Sequence, residues 1–209
     1  MYRTPKEQIE LLTSRGLKFK KEEFAEKILK KINYYNIINP YGKLFFKEKD
    51  LYIEGTYFEH IYSFYKFDKK LSGLFLVYIL HIESSLKTAI SHVVSSKGDN
   101  GHKEESYLDI SIFEDKNSNI TPEQREDNEK FIEDLKEKIN SSKKEYIKHN
   151  RRVYGNVPFW VLCNEMYFSE AIYYYEKLVE SDRNRVSLIM RGDNMEVKLT
   201  LKQFQSAIY

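Results

Sequence analysis

From Tyr57 to Ser96 the chain has no proline and one glycine, Gly73, while Leu71, Leu74, Tyr78, Ile82, Leu86, Ala89 and Val93 recur at three-to-four spacing. Only an α-helix brings residues at that spacing to one side, so the stretch predicts one or two long helices that act as a spine. The fold class follows as mainly α, a helical bundle with long central helices.

Other segments read the same way. Thr4-Pro5-Lys6-Glu7 supplies a capping hydroxyl, a first-turn proline and an early acid ahead of Ile9, Leu11 and Leu12, and Gly16 marks the end of this short helix. Lys21 to Lys31 carries Phe24 and Ile28 on one stripe, with Ile32 continuing it, and predicts an amphipathic surface helix. Asn33 to Gly55 shows no helical period and predicts an aromatic connecting segment, with Leu51-Tyr52-Ile53 as a short extended piece. Thr121-Pro122-Glu123 starts a solvated helix whose buried edge is Phe131, Leu135 and Ile139. Pro158 to Cys163 is strongly apolar and leads into Phe168, Ile172, Tyr175 and Leu178, which should complete the core. The stretch 96–120, rich in Ser, Gly, Asp and Asn, predicts a mobile loop or insertion within a single domain covering 1–209. Val197 to Tyr209 is an apolar stripe at mostly helical spacing with no cap, as though cut short.

Several function classes lose support at this level. The chain has one cysteine, Cys163, and its first residues lack the apolar stretch of a secretory signal, which fits a reducing cytoplasm. The apolar run Leu74 to Leu80 stops at His81, short of the roughly 20 residues of a membrane span, so no membrane partner is expected. A net charge of +2 gives no strong overall field, so any anion-binding surface must come from local clustering. His60, His81, His92, His102 and His149 form no His-x-x-x-His or His-Glu-x-x-His element, and no metal site is expected. With no glycine-rich phosphate loop and no Gly-x-Ser-x-Gly elbow, no small-molecule cofactor is expected either.

Two clusters could carry chemistry. On the spine, Glu83 and Lys87 face one another four residues apart, while His81, Ser85, Thr88 and His92 share a polar side that could line a cleft; Glu83, Lys87 and His92 are the catalytic candidates. An ordinary surface ion pair would look the same. The second cluster runs from Lys143 to Arg152, with five permanent positive charges against one negative. Within it Lys143, Lys144, Tyr146, Lys148, His149, Arg151 and Arg152 have the forks, ammonium groups and rings suited to phosphate contact and base stacking, and form the candidate RNA-binding surface. A solvated turn between two helices would have similar composition.

Taken in order, six elements resemble the Abi-like (abortive infection, AbiD/AbiF-type) family of bacterial phage-defence proteins. They are Glu7 to Leu12 with Arg15-Gly16-Leu17; Ile32-Asn33-Tyr34-Tyr35; Tyr57 to Ile61 leading into Tyr65 to Leu71; Ile82-Glu83-Ser84-Ser85-Leu86-Lys87-Thr88; Tyr154-Gly155 with Pro158 to Leu162; and Met166-Tyr167-Phe168-Ser169. The resemblance implies a HEPN-like helical bundle, a homodimer and metal-independent RNA cleavage by an Arg and a His with four to six residues between them. No arginine of Arg3, Arg15, Arg125, Arg151, Arg152, Arg183, Arg185 and Arg191 has a histidine at that distance. Lys87–His92, Lys97–His102 and Lys144–His149 share the spacing with lysine in place of arginine, three hits from an abundant residue and hence uninformative.

The expectation is thus an antiphage defence protein of HEPN type that binds RNA, catalytically inactive in this form, with the Arg–His pair placed beyond Gln203 to Tyr209. At full length it would act as an endoribonuclease toxin. Two alternatives stay open: a non-catalytic RNA- or protein-binding module of a toxin–antitoxin-like system, whose partner could be a non-coding RNA, and a structural helical adaptor.

Overall fold

In the computed structural model, which describes residues 2–98, 100–114, 120–191 and 206, the first helix begins where Thr4 and Pro5 predict. α1 (Pro5–Ser14) is closed by a capping box: Glu7 N donates to Thr4 Oγ1 at 3.3 Å, and Thr4 N donates to the Glu7 carboxylate at 2.7 Å. α2 (Glu22–Lys31) turns Ala25, Ile28 and Leu29 inward. α3 (Tyr34–Tyr41) departs from the expected irregular segment. Asn33 accepts from Tyr35 N at 2.9 Å as a cap, and Pro40 sits in the last turn, so only the end of the helix loses a donor. A two-stranded antiparallel sheet follows, β1 (Phe46–Glu48) and β2 (Leu51–Tyr52), the latter at the predicted extended piece. With the start of α4 (Phe58–Ser95) these elements bury a first core around Leu12, Ile37, Tyr52, Phe58 and Ile61.

The described chain divides into two compact units, Met1–Tyr78 and Ile79–Tyr209, and α4 passes from one into the other as a single helix. In the second unit α4 is followed by α5 (Glu104–Tyr107), a 3-10 turn at Ile110–Ile112, α6 (Pro122–Ser141), α7 (Glu145–Tyr154), α8 (Phe159–Glu165), α9 (Phe168–Lys177) and α10 (Glu180–Arg191). Leu86, Ile90 and Val93 of α4, Leu135 of α6, Phe159 and Leu162 of α8, and Tyr174 of α9 meet in its core. The span 96–120 contributes to that core through Tyr107, Leu108, Ile112 and Phe113, where sequence reading expects only loop. Tyr107 OH donates to Val157 C=O at 2.5 Å, and burial pushes its phenol far above the ordinary range. Helices of three or four residues show no periodicity, and the turn formers around them hide the buried aromatics. The apolar stripe of Val197 to Tyr209 lies, apart from Ser206, outside the described residues.

The middle of α4 is unusual. Leu74, Phe75, Leu76, Val77, Tyr78 and Leu80 are each more than half exposed, although they point to every side of the helix. By length and composition α4 is the one described helix apolar enough to cross a membrane, with 17% of its most apolar window buried. Its stretch without formal charge, Leu71 to Ile82, amounts to about 18 Å of helix, against roughly 30 Å of bilayer hydrocarbon.

Candidate nucleic-acid interface and groove

α8 runs beside the C-terminal half of α4, joined to it by two contacts. Lys87 Nζ donates to Met166 C=O at 2.7 Å and Cys163 lies against Ser91, while Trp160, one turn earlier on α8, lines the same groove as Ser95. Between the helices runs an open groove of about 780 Å³. Of the catalytic candidates, Glu83, Lys87 and His92 all line it, as does Thr88; His81 and Ser85 do not. Glu83 and Lys87 are paired at 2.6 Å with side chains only 25% and 15% exposed. Together with the Met166 carbonyl, this pair ties α4 to the end of α8, a structural duty that leaves Lys87 little freedom as a base. His92 is exposed. Burial pushes the Cys163 thiol up to about 12, so it holds no thiolate for nucleophilic work near neutrality.

At the end of α4, Arg185 Nη2 of α10 donates to Ser96 Oγ at 2.8 Å, and Asp182 receives both Lys97 and Arg185. His92 lies one turn before Ser96 on α4 and lines the same groove, and the contact of Arg185 with Ser96 is one that no local motif in the sequence announces.

The cationic stretch forms α7 rather than a turn, anchored by one buried residue, Ile147, and closed by Gly155 in the left-handed conformation at φ 63°. Helical periodicity therefore sorts the seven candidates. His149 and Arg152 project away from Ile147 and Lys148 lies on its flank, all three exposed; Lys143 and Lys144 precede the helix and are exposed as well. Lys148 has only a loose partner, Glu145 at 3.4 Å, itself fully in solvent. Arg151 and Tyr146 are committed elsewhere. Arg151 Nη1 donates to Glu104 at 2.9 Å and Nη2 to Asn140 at 3.2 Å. Tyr146 OH donates to Glu165, whose carboxylate pushes the phenol up to about 12.

Two residues at this surface escape the sequence reading. Trp160 is 49% exposed although Phe159, Val161, Leu162 and Cys163 around it are buried. Its ring stacks on His102, centroids 6.1 Å apart. One signal was available: on an otherwise apolar helix, Trp160 shares its face with Asn164, four residues on. Among the described residues no three His, Cys, Asp or Glu side chains converge as a metal site would require.

Neither the curated proteins nor the solved structures contain a match to this sequence. A family model described as Abi-like protein matches residues 27–209, which takes in most of the first unit and all of the second. The protein belongs to the Abi-like family.

Proposed function

We propose that this protein serves abortive-infection defence by binding RNA across the outward face of α7. Family membership supports the defence role. The observation that carries the RNA reading is the division of labour on α7: Arg151, though exposed, is spent on Glu104 and Asn140, while Lys148, His149 and Arg152 stand in solvent without a strong partner. Cations held on a rigid helix and free of strong partners are available to phosphates.

The test is RNA binding by fluorescence anisotropy across a salt series, with Lys148→Glu/Arg152→Glu as the variant. If both side chains meet phosphates, affinity collapses and the slope of log K against log salt becomes shallower by about 1.4. Unchanged affinity and slope would remove α7 from the interface. Arg151 must stay out of this variant, because its loss perturbs packing as well as charge.

Endoribonuclease activity, which the HEPN resemblance implies, would need an arginine for phosphate charge and a histidine for proton transfer; His92 lines the groove, and Arg185 donates to Ser96 Oγ at its end. The non-catalytic alternative takes its support from Lys87, which is held by Glu83 and Met166 and so is poorly suited to catalysis. The homodimer expectation draws on α4: an apolar helix exposed on all sides for three turns gains by covering them, and a second copy offers the same surface.

A further inference from the structure

Trp160 is the chain's only tryptophan, and it is half-exposed and lines the groove on a helix whose other apolar residues are locked in the core. Its stacking partner, His102, is held from both sides. On one side, Gly101 lies so close to the end of α4 that a Cβ there would meet Val94 C=O and Lys97 C=O at 2.7 Å. On the other, Glu104 N donates to Asn156 Oδ1 at 3.0 Å, and Glu104 Oε1 accepts from Val157 N at 2.6 Å and from Arg151 at 2.9 Å. Trp160 and His102 thus form a fixed aromatic platform. The same clamp joins it to α7, since Arg151 adjoins Arg152 and Glu104 is two residues from His102.

Inside the groove the charge is nearly cancelled, because Lys87 is neutralised by Glu83. What remains is hydrogen bonding. The Asn164 amide shares the platform's face of α8, and Ser95 Oγ is buried with no hydrogen-bond partner among the described residues. A buried hydroxyl left unpaired is costly, and a rotation of the Ser95 side chain into the groove it lines would let a ligand edge pair it. An aromatic platform beside neutral donors and acceptors matches a nucleobase and ribose, not a phosphate; the phosphate-binding cations are on α7.

We propose that the groove is a base pocket, which takes one unpaired nucleotide of an RNA strand whose phosphates lie over Lys148 and Arg152. The base stacks on Trp160, and its edge and ribose meet Ser95 and Asn164. This rests on the RNA-binding reading and sharpens it to single strands, because the bases of a duplex are already stacked and paired.

The lone tryptophan is its own reporter. Trp160 fluorescence in the full chain is titrated with octaadenylate, with a duplex of the same length and with AMP, and octaadenylate affinity is measured by anisotropy for Trp160→Ala, Trp160→Phe and Lys148→Glu/Arg152→Glu. The expected result is saturable quenching by octaadenylate, none by the duplex, far weaker quenching by AMP, a loss of roughly tenfold or more in Trp160→Ala, and near-complete retention in Trp160→Phe. Full affinity in Trp160→Ala, with loss in the α7 variant, overturns the base pocket and leaves RNA binding standing. Equal quenching by duplex overturns the strand preference. If no RNA binds, the underlying reading falls too, and quenching by AMP alone would assign the groove to a free nucleotide.

Discussion

Arg151 reaches back along the chain to the Glu104 carboxylate at 2.9 Å, and the same oxygen accepts from Val157 N at 2.6 Å. One arginine thereby fixes the segment carrying His102 and the entry to α8, while its neighbour Arg152 has no partner among the described residues. Two adjacent and chemically identical side chains should therefore separate in experiment. Arg151→Ala leaves the Glu104 carboxylate, 20% exposed, without its cation and should cost about 1 kcal/mol, a fall in Tm of roughly 2–4 °C for a chain of this size. Arg152→Ala should leave the stability within about 0.5 kcal/mol of the parent and lower RNA affinity. Thermal unfolding and anisotropy on both variants check this; equal melting shifts would refute the division of labour.

The Glu83–Lys87 pair gives a graded stability series. Lys87→Ala strands both the Glu83 carboxylate and the Met166 carbonyl, and should cost about 2–3 kcal/mol. Glu83→Gln keeps an acceptor near the ammonium and preserves the Met166 contact, so it should cost less. Urea denaturation of the two variants measures the order, and a reversal would mean that Lys87 does not bridge the helices.

Gly101 shows why part of this surface was hidden from sequence. Its requirement is a close approach to Val94 C=O and Lys97 C=O, a tertiary fact inside a stretch whose composition says only turn. The capping boxes at Thr4 and Thr121, the spine and the apolar α8 were legible because each rests on local spacing. α3 was not, since Pro40 and the absence of a period masked the Asn33 cap. The cationic cluster was legible as composition, but which cations are free depends on Glu104, 47 residues away from Arg151. Gly101→Ala tests the placement directly: it should destabilise the fold and shift the Trp160 emission as His102 moves off the ring.

Cys163 should be chemically silent in the folded state. Burial first of all raises its thiol to about 12, against 9 for the ordinary group, so thiolate is scarce at pH 8 and disulfide reagents should label it only in denaturant. The stability consequence has a definite sign. Below pH 9 the thiol is protonated in both states and contributes no pH dependence. Between about 9 and 12 the unfolded chain ionises and the folded one does not, so stability falls as pH rises. Rapid labelling of native protein at pH 8 would contradict the burial of this group.

The apolar turns of α4 make the strongest claim about assembly. Leu76 and Leu80 share a face and are 56% and 55% exposed. Since neither is buried in one copy, glutamate at both positions should leave the melting temperature of the monomer nearly unchanged. If a second copy covers them, two like charges per helix face each other across the contact, and the dimer should dissociate. Light scattering behind size exclusion across a concentration series reads the mass directly. A parent dimer and a monomeric Leu76→Glu/Leu80→Glu variant support pairing through α4. A parent that is monomeric at every concentration removes the dimer, and one that partitions into vesicles in a leucine-dependent way gives the surface to a bilayer instead.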